Sequence, residues 1–136
     1  MLDPLDFSEY GGCSLYSGPV AYTLLAASNY GNSLNELKRY QEARAVLRKT
    51  ISVARRVLGD SKEITLRMRW YYARALCEDT GATFDQLREA VTTLEETERT
   101  ARRVLGGAHP LTEAIERHVG KSRAALRARE TPASSA

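Results

Sequence analysis

The hexapeptide Ala-Arg-Arg-Val-Leu-Gly stands at residues 54–59 and again at residues 101–106. The two copies are identical and lie 47 residues apart in a chain of 136 residues. An identical string at a fixed spacing is typical of a repeated structural unit. The sequence therefore predicts an internal duplication around this hexapeptide.

Small residues on either side of the hexapeptide give the period. Ala73 follows Ala43 by 30 residues, and Gly31 precedes Ala43 by 12, whereas Ala73 precedes Ala90 by 17. The basic period is thus 42 residues, and the second copy has five extra residues near residues 78–84. Because the register is kept on both sides, we expect a loop there.

Apolar residues recur every three or four positions through most of the chain, and no segment alternates as a strand would. The predicted helices are residues 19–37, 41–58, 60–78 (including a capping signature), 84–105 and 109–129. Gly59 and Gly106 are predicted to end helices, since glycine adopts the conformation that terminates them. The predicted capping residues are Asp60 or Ser61, Thr83 or Asp85, and His109.

These helices predict an all-α solenoid of antiparallel pairs with about two and a half repeat units. Repeat 1 takes residues 19–60 and repeat 2 residues 61–107, and the last helix, residues 109–129, covers the open end. Residues 1–18 lack a clean period and are predicted to be an extended arm, and residues 131–136 a flexible tail.

The net charge of +3 is unevenly distributed, because residues 1–37 contain four acidic residues and no basic one. The rest of the chain is therefore net +7, which favours acidic partners. A solvated helix surface is the alternative reading of that charge. Nucleic acid is not favoured as a partner, since no recognised reading element is present.

The longest apolar stretch, residues 19–27, is too short to span a membrane, and the first ten residues lack the basic charge of a secretory signal. We therefore expect no membrane insertion and a cytoplasmic location by default, with an organelle left open. Two cysteines and two histidines form no recognisable metal pattern, and there is no phosphate-binding loop. The sequence predicts neither a cofactor nor an enzyme.

The repeated pattern resembles a tetratricopeptide repeat, in the 42-residue form of kinesin light chains. The matching residues are Gly31, Leu34, Tyr40, Ala43 and Leu47 with the first hexapeptide, then Ala73, Leu76, Leu87, Ala90 and Leu94 with the second and Gly-Ala-His-Pro. The resemblance implies a right-handed solenoid whose first helices line a groove for extended peptides or partner helices. Lys38 departs from the glycine common in the turn, and Thr50 and Thr97 replace the usual alanine.

In this family the groove positions are spaced i, i+3, i+4 and i+7 on the first helix of each pair. Here they are Leu25, Ser28, Asn29 and Asn32, then Arg67, Trp70, Tyr71 and Arg74, then Ala114, Arg117, His118 and Lys121. Asparagine can pair with a peptide backbone, arginine and lysine can hold carboxylates, and Trp70 and Tyr71 can hold an apolar anchor.

The resemblance therefore implies a non-catalytic adaptor that binds an acidic, extended segment of another protein. In the opposing interpretation, Trp70 and Tyr71 are core residues and the arginines are solvated. The acidic residues of the arm could also fill the groove. The alternative function is a small structural subunit, wedged into a large multiprotein assembly through the arm and the outer helices.

Overall fold

The computed structural model describes residues 19–130, and these form five α-helices without a strand. The helices are α1 (Pro19–Glu36), α2 (Tyr40–Val57), α3 (Glu63–Glu78), α4 (Phe84–Leu105) and α5 (Pro110–Glu130). Each begins and ends within three residues of its predicted bounds, so the predicted all-α fold is confirmed. The predicted arm, residues 1–18, and tail, residues 131–136, lie outside the described residues.

Each helix packs against the next one in the chain, and α3 also contacts α1 and α5. This arrangement is a short α-solenoid, in which α3 touches all four other helices. The core is continuous and runs between the helices. Its largest fully buried apolar side chains are Leu24, Leu34, Leu47, Leu66, Met68, Leu76, Leu94 and Ile115.

Three turns place a residue in the left-handed region of the backbone map. Gly59 and Gly106 have φ of 91° and 93° and end α2 and α4, as predicted. Lys38 has φ of 62° after α1. There, Arg39 N donates to Leu34 O at 2.8 Å and Lys38 N donates to Asn35 O at 2.9 Å. This pair of hydrogen bonds is the Schellman motif, which satisfies the last carbonyls of a helix.

The predicted helix starts are partly correct. Thr83 and Gln86 form a capping box at the start of α4, which selects Thr83 over the alternative Asp85. The expectation for α3 was wrong, because its N-cap is Lys62 and no side chain caps it. Asp60 instead accepts a hydrogen bond from Arg55 at 2.5 Å. The predicted cap His109 accepts a hydrogen bond from the N–H of Leu111 at 3.1 Å.

Two threonines fill equivalent core positions of the two repeats. Thr50 and Thr97 are fully buried. Each hydroxyl donates to the carbonyl four residues earlier, at 2.7 Å to Val46 O and 2.6 Å to Thr93 O. Because the hydroxyl is satisfied within its own helix, threonine can replace alanine there without leaving a buried polar group unpaired.

Residues 79–83 form the predicted insertion loop between α3 and α4. Asp79 accepts from the N–H of Gly81 at 2.9 Å and from Arg44 of α2 at 3.2 Å. Ala82 is buried, and its carbonyl accepts from Arg129 near the end of α5 at 2.9 Å. The loop is therefore attached to α2 through Arg44 and to α5 through Arg129.

Candidate partner-binding face

The helices α1, α3 and α5 lie side by side, with α3 in the middle. Arg74 of α3 donates to Asn32 Oδ1 of α1 at 3.2 Å. Trp70 of α3 donates to His118 of α5 at 3.1 Å. The three predicted stripes therefore meet in one surface, which we call the three-helix face. Its members are Asn29, Asn32, Arg67, Trp70, Tyr71, Arg74, Arg117, His118 and Lys121.

The centre of the three-helix face is a hydrogen-bonded chain of side chains. The indole N–H of Trp70 points at His118 Nδ1, and His118 Nε2 lies 3.6 Å from Glu78 Oε2. The indole can only donate, so Nδ1 has to accept and the ring proton belongs on Nε2, toward Glu78. The alternative contact of Nδ1 with Ala114 O would require the opposite tautomer. The indole contact therefore fixes the orientation of the imidazole.

The carboxylate of Glu78 contacts two basic side chains. Arg74 Nε donates to its carboxylate at 3.0 Å, in addition to the contact with His118. The contact with His118 and then the hydrogen bond from Arg74 lower the pKa of Glu78 to about 2, although burial acts in the opposite direction. The carboxylate is thus ionised at neutral pH and is paired with both Arg74 and His118.

Arg74 is a structural member of the face. Its guanidinium also lies 3.4 Å from Glu36 and 5.6 Å from the centre of the Trp70 ring. Only 16% of the side chain is exposed. With two carboxylates and an aromatic ring around it, Arg74 links α1 to α3 more than it presents charge to solvent.

The inner residues of the stripes are buried. Tyr71 is 8% exposed and its ring packs on Trp70, with 5.2 Å between ring centres. Ser28 is fully buried, and its hydroxyl has no hydrogen-bond partner among the described residues. Asn35 donates to Tyr71 O at 3.0 Å and joins α1 to α3 from inside. These residues support the face from below.

The outer residues of the stripes are available to a ligand. Asn29, Arg117 and Lys121 are exposed. No carboxylate pairs with Arg117 or Lys121 within the part of the chain that the structure describes. Arg67 instead donates to Glu63 at 2.9 Å, which neutralises part of its charge. The free positive charge of the three-helix face is therefore concentrated on α5.

The sequence interpretation missed Glu36, Asn35 and Glu78. Glu78 could have been found, because it follows Arg74 by four residues, the spacing of an ion pair on one helix face. Glu36 and Asn35 meet α3 only after the helices stack, so no local spacing points to them. Glu36 and Glu78 pair with Arg74, whereas Asn35 bonds the backbone of Tyr71.

Cys77 lies next to this network. Burial raises the pKa of its thiol to about 11, and the negative charge of Glu78 acts in the same direction. A thiol with so high a pKa is a poor nucleophile at neutral pH.

Among residues 19–130, no group of three metal-ligating side chains forms a cluster. None of the helices in that range is long and apolar enough to cross a membrane.

Comparison with known proteins gives one match. The family model of the tetratricopeptide repeat matches residues 22–83, which span most of α1 and all of α2 and α3. No curated protein and no solved structure matches significantly. The repeated hexapeptide extends the same helix-pair pattern through α4, beyond the matched range. The helix arrangement and the family match agree, and residues 22–83 form a tetratricopeptide-repeat region.

Proposed function

We propose that this protein is a non-catalytic adaptor whose three-helix face binds an acidic, extended segment of a partner protein. Tetratricopeptide repeats generally mediate protein–protein interactions, and the internal repeat resembles that of kinesin light chains. The observation that carries the proposal is the pairing of α3 with both α1 and α5 through Arg74 and Trp70. This pairing makes one continuous surface from three stripes.

The charge of the surface supports an acidic ligand at the α5 end. Glu63, Glu78 and Glu36 satisfy Arg67 and Arg74, so Arg117 and Lys121 are the cations left to meet carboxylates. Asn29 of α1 can pair with a peptide backbone, since its amide both donates and accepts. The rigid Trp70–His118 floor reduces the entropy lost on binding, because its side chains are already ordered.

The test compares two variants that each reverse two exposed charges. Arg117→Glu/Lys121→Glu changes the three-helix face, and Lys62→Glu/Arg88→Glu changes exposed cations elsewhere. We expect affinity enrichment from the source cells to lose an acidic partner with the first variant only. Circular dichroism establishes that both variants remain helical. A partner set that is the same for wild type and both variants contradicts the proposal.

A second candidate function is a structural subunit held inside a large assembly. The observation that favours it is the exposure of three large apolar side chains in α1 and directly after it: Tyr22, Tyr30 and Leu37 are 74%, 55% and 64% exposed. Such side chains at the end of a solenoid suit packing against a neighbour. In the same enrichment, recovery of one large assembly with wild type and both variants favours this role, and a Tyr22→Ser/Tyr30→Ser variant is then expected to lose it.

A further inference from the structure

The repeated hexapeptide also places arginines on the opposite side of the molecule. In each copy the first arginine has a partner, since Arg55 bonds Asp60 at 2.5 Å and Arg102 bonds Glu98 at 2.8 Å. The second arginine, Arg56 or Arg103, is exposed and pairs with no carboxylate among residues 19–130. The repeat therefore leaves one free guanidinium per copy at equivalent positions.

These free arginines border a groove between α2 and α4. Two adjoining hollows of about 640 Å³ and about 820 Å³ share Arg55, Arg69 and Glu96 and so form one continuous feature. We call it the arginine groove and define it by six of its arginines: Arg48, Arg55, Arg56, Arg69, Arg99 and Arg103. Seven arginines but only three carboxylates line it, so its field is positive.

Arg69 rises from α3 at the floor of the groove. Its side chain is 11% exposed, and its one ion pair is with the exposed Glu96 at 3.3 Å. Burial, and then the charge of Arg55, lower the pKa of Arg69. A buried cation whose charge is disfavoured gains from an additional anion nearby. The geometry and the electrostatics of the groove therefore point to the same type of ligand.

We propose that the arginine groove binds an acidic amphipathic helix of a partner protein. The lining runs along α4 from Glu89 to Arg103, which at 1.5 Å per residue is about 20 Å, or roughly four helical turns. Ile51 and the ring of Tyr72 give the groove an apolar component that suits the apolar side of such a helix.

A helix fits this groove better than an extended strand. The walls are α-helices, whose backbone groups are paired internally and cannot bond a strand. Unlike the three-helix face, the groove has no asparagine among its lining residues to pair with the backbone of a strand instead. A bound helix satisfies its own backbone and presents only side chains. Carboxylates one or two turns apart on that helix can each meet an arginine, and guanidinium–carboxylate pairs are strong when bidentate.

A nucleic acid fits the groove less well than a protein helix. Asp60, Glu89 and Glu96 lie among the arginines, and a backbone with a phosphate at every nucleotide has to pass all three. A protein helix can place carboxylates opposite the arginines and neutral or basic residues opposite these acids. Because acidic and basic side chains alternate in the groove, it favours a protein helix with separate charged residues over a nucleic acid with a charge at every nucleotide.

The test uses the full chain and a synthetic helical peptide of about 18 residues, with glutamates on one face and leucines beside them. A peptide with glutamine in place of every glutamate is the control ligand. We expect wild type to bind the glutamate peptide, and Arg56→Glu/Arg99→Glu/Arg103→Glu to weaken binding by roughly tenfold or more. Lys62→Glu/Arg88→Glu, which reverses two exposed charges outside both the groove and the three-helix face, is expected to bind as wild type.

Three results overturn the proposal. The first is equal affinity of wild type for the glutamate and glutamine peptides. The second is unchanged binding by the triple variant, with its helicity and unfolding midpoint intact. The third is tighter binding of a single-stranded oligonucleotide than of the glutamate peptide, lost in the triple variant, which assigns the groove to nucleic acid instead.

Discussion

Lys38 lies in the turn between α1 and α2, and its backbone has a φ of 62°. A residue with a Cβ in the left-handed region is strained by roughly 1 kcal/mol, because Cβ approaches the following carbonyl. Lys38→Gly is therefore expected to raise the free energy of unfolding by about 1 kcal/mol, measured by urea denaturation. Lys38→Ala keeps the Cβ and removes the charge. If Lys38→Ala stabilises the protein as much as glycine does, the backbone explanation is wrong.

Glu78 makes stability depend on pH. Its pKa is about 2 in the folded protein, against an ordinary value of 4.5, chiefly because of the contact with His118. A carboxylate whose pKa is lowered by folding contributes stability that is present above pH 4.5 and is lost as the pH falls from 4.5 toward 2. We expect the difference in unfolding free energy between wild type and Glu78→Gln to shrink across that interval.

Measurement of this difference requires urea denaturation at several pH values. Glu36→Gln is a suitable control, because Glu36 is exposed and lies at the edge of the same network. A constant difference between wild type and Glu78→Gln from neutral pH to about pH 2 would exclude Glu78 as the source.

At the scale of helices, α1 and α2 approach each other closely at Gly31. A Cβ on Gly31 would lie 2.5 Å from Leu47 Cδ2 and 2.6 Å from Leu47 Cγ. Leu47 is fully buried, so it has little room to move. The equivalent residue of the last helix, Gly120, has no atom within 4 Å of such a Cβ. The difference arises because α5 is followed by no further described helix.

Alanine at the two positions is therefore expected to act in opposite directions. Gly31→Ala destabilises the protein by about 1 kcal/mol or more, since overpacking exceeds the gain in helix propensity. Gly120→Ala stabilises it by roughly 0.5–1 kcal/mol, because only the propensity term remains. Thermal unfolding of both variants checks this. Stabilisation by Gly31→Ala would mean that α1 and α2 can separate without loss.

The helices and their order could be predicted because the information is local and is repeated. The periodic apolar residues, the hexapeptide and Gly59 each specify an element without reference to the rest of the chain. The sequence also placed Arg74, Trp70 and His118 on one surface, because the repeat period aligns them, and their role in binding stays a prediction. Their division into paired and free side chains could be predicted only in part. Glu78 pairs with Arg74 within α3 at a spacing of four residues, whereas Glu36 and His118 meet residues of α3 only across the stacked helices. At the uncapped start of α3, Asp60, one of the two expected caps, accepts a hydrogen bond from Arg55 across the turn that follows α2.

At the scale of the whole molecule, α3 ties the solenoid into one unit. Because α3 packs against all four other described helices, those helices cannot be divided into two groups that do not contact each other. Long repeat arrays can unfold in parts, but a chain this short with one continuous core is expected to unfold in a single step. Trp70 is the only tryptophan and contacts His118 across α3 and α5. Its fluorescence therefore reports on the end of the solenoid.

We expect the urea transition seen by Trp70 fluorescence to coincide with the transition seen by circular dichroism, which reports on all helices. Ile115 of α5 is fully buried, and Ile115→Ala is expected to lower the free energy of unfolding by about 2–5 kcal/mol. It should move both transitions together, because the core is shared. A fluorescence transition at lower urea than the dichroism transition, widened by Ile115→Ala, would show instead that α5 unfolds separately. In that case the three-helix face would exist only while α5 is docked, and its charge at Arg117 and Lys121 would depend on local unfolding of the last helix.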